Sequence, residues 1–108
     1  MRGVALLAAC GVVAGCAAAQ PDSLAPYRVV GAAIPAPLTA EAGDAERGRA
    51  LFEGRDANCF LCHSVPGGRL MGNLASPLAG VGTRLSEGQL RLRIVDSARL
   101  NRNTIMPA

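Results

Sequence analysis

The pentapeptide Cys-Phe-Leu-Cys-His at positions 59 to 63 limits what this chain can form more than any other stretch of its sequence. Two cysteines three positions apart lie on the same side of one helical turn, so both thiols can reach a single flat ligand. His63 follows directly and is the only histidine among the 108 residues. This pattern is typical of covalent haem c attachment, in which the imidazole binds the iron. We therefore predict Cys59 and Cys62 as the thioether links of one haem c and His63 as its proximal iron ligand.

Other uses of the two cysteines fit the sequence less well. A zinc site would need two further ligands, but the chain after its N-terminal segment contains no other cysteine and no other histidine. A thioredoxin-like redox pair would be expected in a βαβ setting, which the sequence does not show. A disulfide between Cys59 and Cys62 stays as the alternative for an exported chain.

The second axial ligand of the iron must be a residue other than histidine, and methionine is the natural candidate. Met71 comes only eight residues after His63, in a glycine-rich stretch. Met106 comes 43 residues after His63, with enough chain to reach the opposite face of the haem. Pro107 disfavours helix and stiffens the backbone beside it. We predict Met106 as the distal ligand, with Met71, or a methionine that only packs, as the alternatives.

Histidine and methionine ligation together predict a type of chemistry. A thioether is a weak donor to ferric iron, so the pair favours the ferrous state and raises the reduction potential. With both axial positions filled, no position is open for a substrate. The chemistry predicted for this chain is therefore one-electron transfer, with no catalytic residue of its own.

The first twenty residues have the pattern of an export signal. Arg2 provides a charged start, and the apolar run Val4–Val13 is too short to span a bilayer. We predict a lipoprotein-type signal at residues 1–16, with Cys16 acylated as a lipid anchor. The alternative is a cleavable signal peptide at residues 1–19. Either pattern predicts a periplasmic protein.

The rest of the chain divides into a tether and a folded domain. Residues 17–42 are rich in alanine and proline and show no helical period, which predicts an extended tether. Within it, Tyr27–Ile34 is apolar enough to lie on a surface, with Val29 and Val30 in a short strand or extended contact. Residues 43–108 are the predicted domain.

Two helices are predicted in that domain. Asp44 is a good N-cap for the first, and Gly54 is placed to end it. Ser86, with Gln89 three residues later, forms a capping box at the start of the second. The apolar stripe of the second helix is expected at Leu90, Ile94 and Val95.

Residues 64–83, between these helices, contain seven glycines and prolines. Such a stretch predicts a loop that follows an external template. A domain this small, in a chain that has one Tyr, two Phe and no Trp, buries only a marginal core. We therefore expect the haem to supply apolar mass.

Charge and aromatic content exclude one class of partner. The formal net charge is only +3, and too few aromatic side chains are present for base stacking, so no nucleic-acid partner is expected. A basic stretch near Met106 is either a solvated face or a group that docks a partner or pairs with haem propionates. Its members are Arg84, Arg91, Arg93, Arg99 and Arg102.

Several short segments of the sequence resemble segments of known cytochromes. GDAERGRALF, CFLCH, PLAGVG and a late methionine together resemble a class I cytochrome c. VGAAIPAPLT, PLAGVGTR, EGQLRLRIVDSARLN and TIMPA resemble, more narrowly, SoxX, the small monohaem subunits of the SoxAX complex of bacterial sulfur oxidation. The likeness runs from about Tyr27 to the end. It implies an all-α, class I cytochrome c-like domain around one covalent haem.

The resemblance also implies roles for particular residues and for a partner. Cys59, Cys62, His63 and Met106 take the positions of the haem ligands, and the backbone carbonyl of either residue 76 or residue 77 would orient the imidazole. SoxX relays electrons within a thiosulfate-oxidising complex, a cysteine S-thiosulfotransferase. Its larger SoxA-like partner carries the catalytic haem, and another cytochrome accepts the electrons.

Two other functions stay open at this stage. The first is a stand-alone exported cytochrome c that serves a respiratory oxidase or dehydrogenase. The second is a haem-free thiol protein that uses its Cys-x-x-Cys pair.

One departure from class I cytochromes concerns the end of the sequence. In those proteins the helix that corresponds to the one with Gly48 and Phe52 here packs against a C-terminal helix that follows the axial methionine. No residue follows Ala108 here. We therefore expect a truncated copy without that helix, with Gly48 lacking a neighbour, Phe52 partly uncovered and Met106 prone to fraying.

Overall fold

The computed structural model of the chain describes residues 25–69 and 71–107. These ranges contain three α-helices: α1 (Ala45–Glu53), α2 (Val81–Arg84) and α3 (Glu87–Val95). Two 3₁₀ turns lie at Cys59–Leu61 and Ser97–Arg99. The described ranges contain no strand, only an isolated bridge between Val30 and Ala33. The prediction of a small all-α domain is confirmed.

The predicted export signal and its Cys16 lie outside the described residues. Within the described ranges, no helix combines the length and the apolar character needed to cross a bilayer.

Helix α1 begins and ends where its capping residues predict. The Asp44 carboxylate accepts a hydrogen bond from the Arg47 backbone N–H at 2.6 Å, which satisfies one of the free donors of the first turn. The Gly54 N–H closes the last turn on the Leu51 carbonyl at 3.2 Å. Both caps use residues within three positions, so they could be predicted from sequence.

Helix α1 lies on the surface of the described chain. None of its residues is buried. The Arg49 guanidinium donates to the Pro66 carbonyl at 3.2 Å and pairs with Glu53 at 3.1 Å, which ties the helix to the chain after the CFLCH motif. A methyl group placed on Gly48 would meet no atom within 4 Å, and Phe52 is only half-buried.

Helix α2 is a single turn inside the stretch predicted to be loop. Gly80, with φ +65°, turns the chain into this helix. The Thr83 hydroxyl donates to the Gly80 carbonyl at 2.8 Å, and the Arg84 guanidinium donates to the Ala79 carbonyl at 2.9 Å. These local hydrogen bonds outweigh the low helix propensity of the glycines. They explain why the structure has a helical turn where the sequence predicts a loop.

Helix α3 starts with the predicted capping box. The Gln89 N–H donates to the Ser86 hydroxyl at 3.3 Å, and the Ser86 N–H donates to the Gln89 side-chain oxygen at 2.9 Å. The predicted apolar stripe is wrong. Gly88 and Leu92, four residues apart, form the buried side of the helix, whereas Ile94 is 66% exposed.

The buried side of α3 is covered by the chain segment that precedes α1. Ile34 is 1% exposed and Leu92 is fully buried. The Ile34 N–H donates to the Gly88 carbonyl at 2.9 Å, and a methyl group on Gly88 would lie 2.9 Å from the Ile34 carbonyl oxygen. A glycine at this position permits the backbones to approach, and this approach rotates the buried side away from Ile94.

Arg91 stabilises the same contact between Ile34 and helix α3. Its guanidinium donates to the carbonyls of Ile34 and Pro35, each at 3.1 Å, and pairs with Glu87 at 2.9 Å. Residues 30–35, called the extension segment below, are therefore held on α3 by apolar burial and by charge-assisted hydrogen bonds.

Candidate cofactor site

The two cysteines of the CFLCH motif are one helical turn apart. The Cys62 N–H donates to the Cys59 carbonyl at 3.3 Å, and the His63 N–H donates to the same carbonyl at 3.0 Å. Both cysteines are half-buried free thiols. The arrangement presents two thiols and an imidazole from a single turn, as attachment of one flat ligand requires.

Asn58 connects this turn to helix α1. Its φ of +54° lies in the left-handed region, which asparagine tolerates better than most residues. Its N–H donates to the Gly54 carbonyl, and its carbonyl accepts from the Leu61 N–H, both at 3.1 Å. Sequence reasoning missed this residue, although an asparagine directly before the motif is a usable signal.

The glycine- and proline-rich chain that follows runs alongside the motif. We call residues 72–78 the covering loop. Three of its backbone N–H groups donate to carbonyls of residues 60–64: Gly72 to Phe60 at 2.7 Å, Ala75 to Cys62 at 2.9 Å and Leu78 to Ser64 at 2.9 Å. The loop was predicted to follow an external template, and the motif backbone is one such template.

Gly72 marks the closest approach of the covering loop. A methyl group there would lie 1.9 Å from the Leu61 carbonyl oxygen and 2.4 Å from the Leu61 carbonyl carbon. No side chain fits at that distance. The glycine therefore sets how closely the loop lies on the motif, a role that nothing in the local sequence indicates.

The covering loop also orients the histidine. The Nδ1 atom of His63 is 2.8 Å from the Ser76 carbonyl oxygen. A carbonyl only accepts hydrogen bonds, so Nδ1 carries the proton and Nε2 keeps its lone pair. Between residues 76 and 77, which sequence reasoning left open, the geometry selects Ser76. This is the tautomer of a histidine that binds a metal through Nε2.

Met106 belongs to a separate hydrogen-bonded unit after α3. Its N–H donates to the Thr104 hydroxyl at 3.2 Å, and its carbonyl accepts from the Ser97 hydroxyl at 3.1 Å. Both backbone groups of Met106 are therefore hydrogen-bonded. Ser97 and Thr104 were missed by sequence reasoning.

Met71 has a different environment. Its side chain folds back over its own loop, where a methyl group on Gly68 would lie 1.9 Å from Met71 Cε and 2.6 Å from Sδ.

The arginines of the basic stretch fall into two groups. Arg84 and Arg93 donate to nearby backbone carbonyls, those of Ala79 at 2.9 Å and Gln89 at 3.0 Å, whereas Arg91 donates to the distant carbonyls of Ile34 and Pro35. Arg99 and Arg102 are exposed and line an open cleft with Asp96 and Ala98.

The chemistry of the donors fits haem c. Two thiols, an imidazole with a free Nε2 and a thioether are the groups that such a haem uses. Among the described residues, only Ile34 and Leu92 are buried hydrophobic side chains. Many large apolar side chains are instead exposed and able to line a flat apolar ligand. They include Leu51, Leu61, Leu74, Leu100 and Ile105.

Comparison with solved structures identifies a similar protein. The crystal structure of SoxXA from P. pantotrophus matches with a TM-score of 0.69 and 33% sequence identity. The match covers 76% of this chain, which spans 63% of the length of that chain. No protein-family model and no curated protein matches. The chain has a SoxXA-related cytochrome fold.

Proposed function

We propose that this chain is a monohaem c-type cytochrome that transfers electrons as the small subunit of a SoxAX-like, thiosulfate-oxidising complex. The observation that carries the haem part is the hydrogen bond from His63 Nδ1 to the Ser76 carbonyl, directly after the cysteine turn. The likeness to SoxXA supports the assignment to a complex of sulfur oxidation.

Four side chains would hold the cofactor. Cys59 and Cys62 would form the thioether links, His63 would bind the iron through Nε2, and Met106 would bind it through Sδ. Bound there, haem c would supply a one-electron ferric–ferrous couple.

The protein would tune that couple through His63 and Met106. The Ser76 carbonyl keeps the proton on His63 Nδ1 and fixes the plane of the imidazole, which makes Nε2 a better donor. The Met106 thioether would donate weakly to ferric iron and so would favour the ferrous state. With both residues as ligands, the site has no position for thiosulfate.

The catalytic centre therefore belongs to a partner in this proposal. The partner is a larger SoxA-like cytochrome that forms a heterodimer with this chain, and a further cytochrome accepts the electrons. Export to the periplasm through the N-terminal signal, with Cys16 as lipid anchor or with cleavage after residue 19, places the chain where haem c is attached.

The ligand assignment is tested by spectroscopy on protein made in a host that matures c-type cytochromes. Wild-type protein is expected to keep its Soret band after acid–acetone extraction. Ferric protein is expected to show the long-wavelength charge-transfer band of a thioether-bound haem. Met106→Ala should abolish that band and Met71→Ala should keep it. Loss of the band in Met71→Ala alone would contradict the assignment.

The assignment to a thiosulfate-oxidising complex needs a second experiment. Ferric protein is mixed with thiosulfate, a carrier thiol and the larger cytochrome subunit, and haem reduction is followed by absorbance. Reduction is expected only when the larger subunit is present. Rapid reduction by general respiratory donors, without association with the larger subunit, would instead identify a stand-alone electron carrier.

A further inference from the structure

Two hydroxyl groups hold the backbone of Met106 from opposite ends. The Ser97 hydroxyl donates to the Met106 carbonyl at 3.1 Å, and the Thr104 hydroxyl accepts from the Met106 N–H at 3.2 Å. Both belong to residues 96–106, which we call the methionine loop. The two bonds fix the position from which the thioether side chain leaves the backbone.

Ser97 is itself held firmly. Its side chain is buried, at 7% exposure for the residue, and it begins the 3₁₀ turn after α3. Its carbonyl accepts from the N–H groups of Leu100 and Asn101, both at 3.1 Å. A buried hydroxyl with a single acceptor is well suited to keep that acceptor in place.

Thr104 is connected to the same turn. Its N–H donates to the Asn101 carbonyl at 3.0 Å, and Asn101 also accepts from the Asn103 N–H through its side chain at 3.0 Å. The methionine loop is therefore a closed set of hydrogen bonds that runs from Ser97 through Asn101 to Thr104 and back through Met106.

Pro107 restricts Met106 further. A residue before proline is disfavoured in the helical region, so the backbone of Met106 has few conformations available. With the two hydroxyl contacts, this leaves the thioether few ways to swing away from a bound iron.

We propose that Ser97 and Thr104 are positioning residues that hold the Met106 thioether on the haem iron. This inference rests on the proposed Met106 ligation. It means that the hydroxyls of Ser97 and Thr104 control how strongly Met106 binds the iron, and therefore the reduction potential.

The test uses the ferric holoprotein and an external ligand. Imidazole competes with the methionine thioether, so its apparent affinity reports how firmly Met106 is held. Ser97→Ala and Thr104→Val should each increase that affinity about tenfold, as expected for the loss of one hydrogen bond, and should weaken the charge-transfer band. The reduction potential should fall in both variants.

Two further variants separate positioning from general damage to the fold. Thr104→Ser keeps the hydroxyl and should restore wild-type affinity. Thr83→Val removes a hydroxyl that bonds the Gly80 carbonyl at 2.8 Å, away from the methionine loop, and should leave imidazole affinity unchanged. In ferrous holoprotein, the Met106 amide should exchange faster in Thr104→Val than in Thr83→Val.

The outcomes distinguish this inference from the proposed function. Absence of the charge-transfer band in wild-type protein would overturn the Met106 ligation itself. If the band is present but Ser97→Ala and Thr104→Val behave like Thr83→Val, the ligation stands and the positioning role is wrong. If Ser97→Ala fails to incorporate haem, the imidazole affinities of Thr104→Val and Thr104→Ser decide whether the hydroxyl positions Met106. A higher affinity in Thr104→Val than in Thr104→Ser supports the role, and equal affinities contradict it.

Discussion

The two halves of this molecule are built in opposite ways. The motif half, residues 44–78, contains helix α1, the cysteine turn and the covering loop. No described residue in it is buried. The packed half consists of the extension segment, α3 and the 3₁₀ turn after it. It contains every buried residue of the described ranges, namely Ile34, Gly88, Leu92 and Ser97.

The difference shows which half can hold its own structure. A backbone hydrogen bond contributes about 1 kcal/mol net, whereas burial of one Leu or Ile side chain contributes about 1.5–3 kcal/mol. The motif half relies on hydrogen bonds such as that from Gly72 to Phe60, while the packed half buries Ile34 and Leu92. We infer that the motif half would depend on the proposed haem for stability, whereas the packed half would not.

The largest effect is expected from removing both thioether links. Cys59→Ala combined with Cys62→Ala should abolish covalent haem, which a haem stain after denaturing electrophoresis measures. Amides of the motif half should then lose protection from hydrogen exchange, while those of α3 keep theirs. Equal loss in both halves would show that they unfold as one unit.

Ser76→Ala provides the control for this experiment. It keeps the backbone carbonyl that accepts from His63, so haem attachment and amide protection should match those of wild-type protein.

A large loss of stability is expected from the core of the packed half. Leu92→Ala removes a fully buried side chain and should lower the free energy of unfolding by about 2–5 kcal/mol, measured by urea denaturation. Ile94→Ala, on the same helix at 66% exposure, should change it by less than about 0.5 kcal/mol. Similar costs for the two substitutions would contradict this placement of the buried side.

A smaller effect is expected at the covering loop. Gly72→Ala places a methyl group against the Leu61 carbonyl, so the loop must move, at a cost of about 1–3 kcal/mol. The movement should weaken the bond between His63 Nδ1 and Ser76, which the NMR signal of the Nδ1 proton reports. An unchanged signal would show that the loop does not orient the histidine.

Gly48→Ala is the matched substitution, with a small expected effect of the opposite sign. Its methyl group meets no atom within 4 Å and lies within helix α1. The free energy of unfolding should therefore rise by about 0.5–1 kcal/mol, because alanine favours helix over glycine. A decrease in the free energy of unfolding, measured by urea denaturation, would instead reveal a neighbour packed against Gly48.

The sequence by itself determined the features that depend on nearby residues. Asp44 as N-cap, Gly54 as helix end and the capping box of Ser86 with Gln89 all involve groups within four positions, so local chemistry predicts them. The CFLCH motif likewise determined the proposed cofactor, because the spacing of its thiols is a local property.

Only the tertiary structure decided the contacts between distant segments. The packing of Ile34 on Gly88 overrode the stripe predicted for α3, and it joins residues 54 positions apart. The choice of Ser76 as partner of His63, and the bond from Ser97 to Met106, depend equally on how loops are placed. Such contacts use backbone carbonyls, which every residue has, so the identity of the side chain does not reveal them.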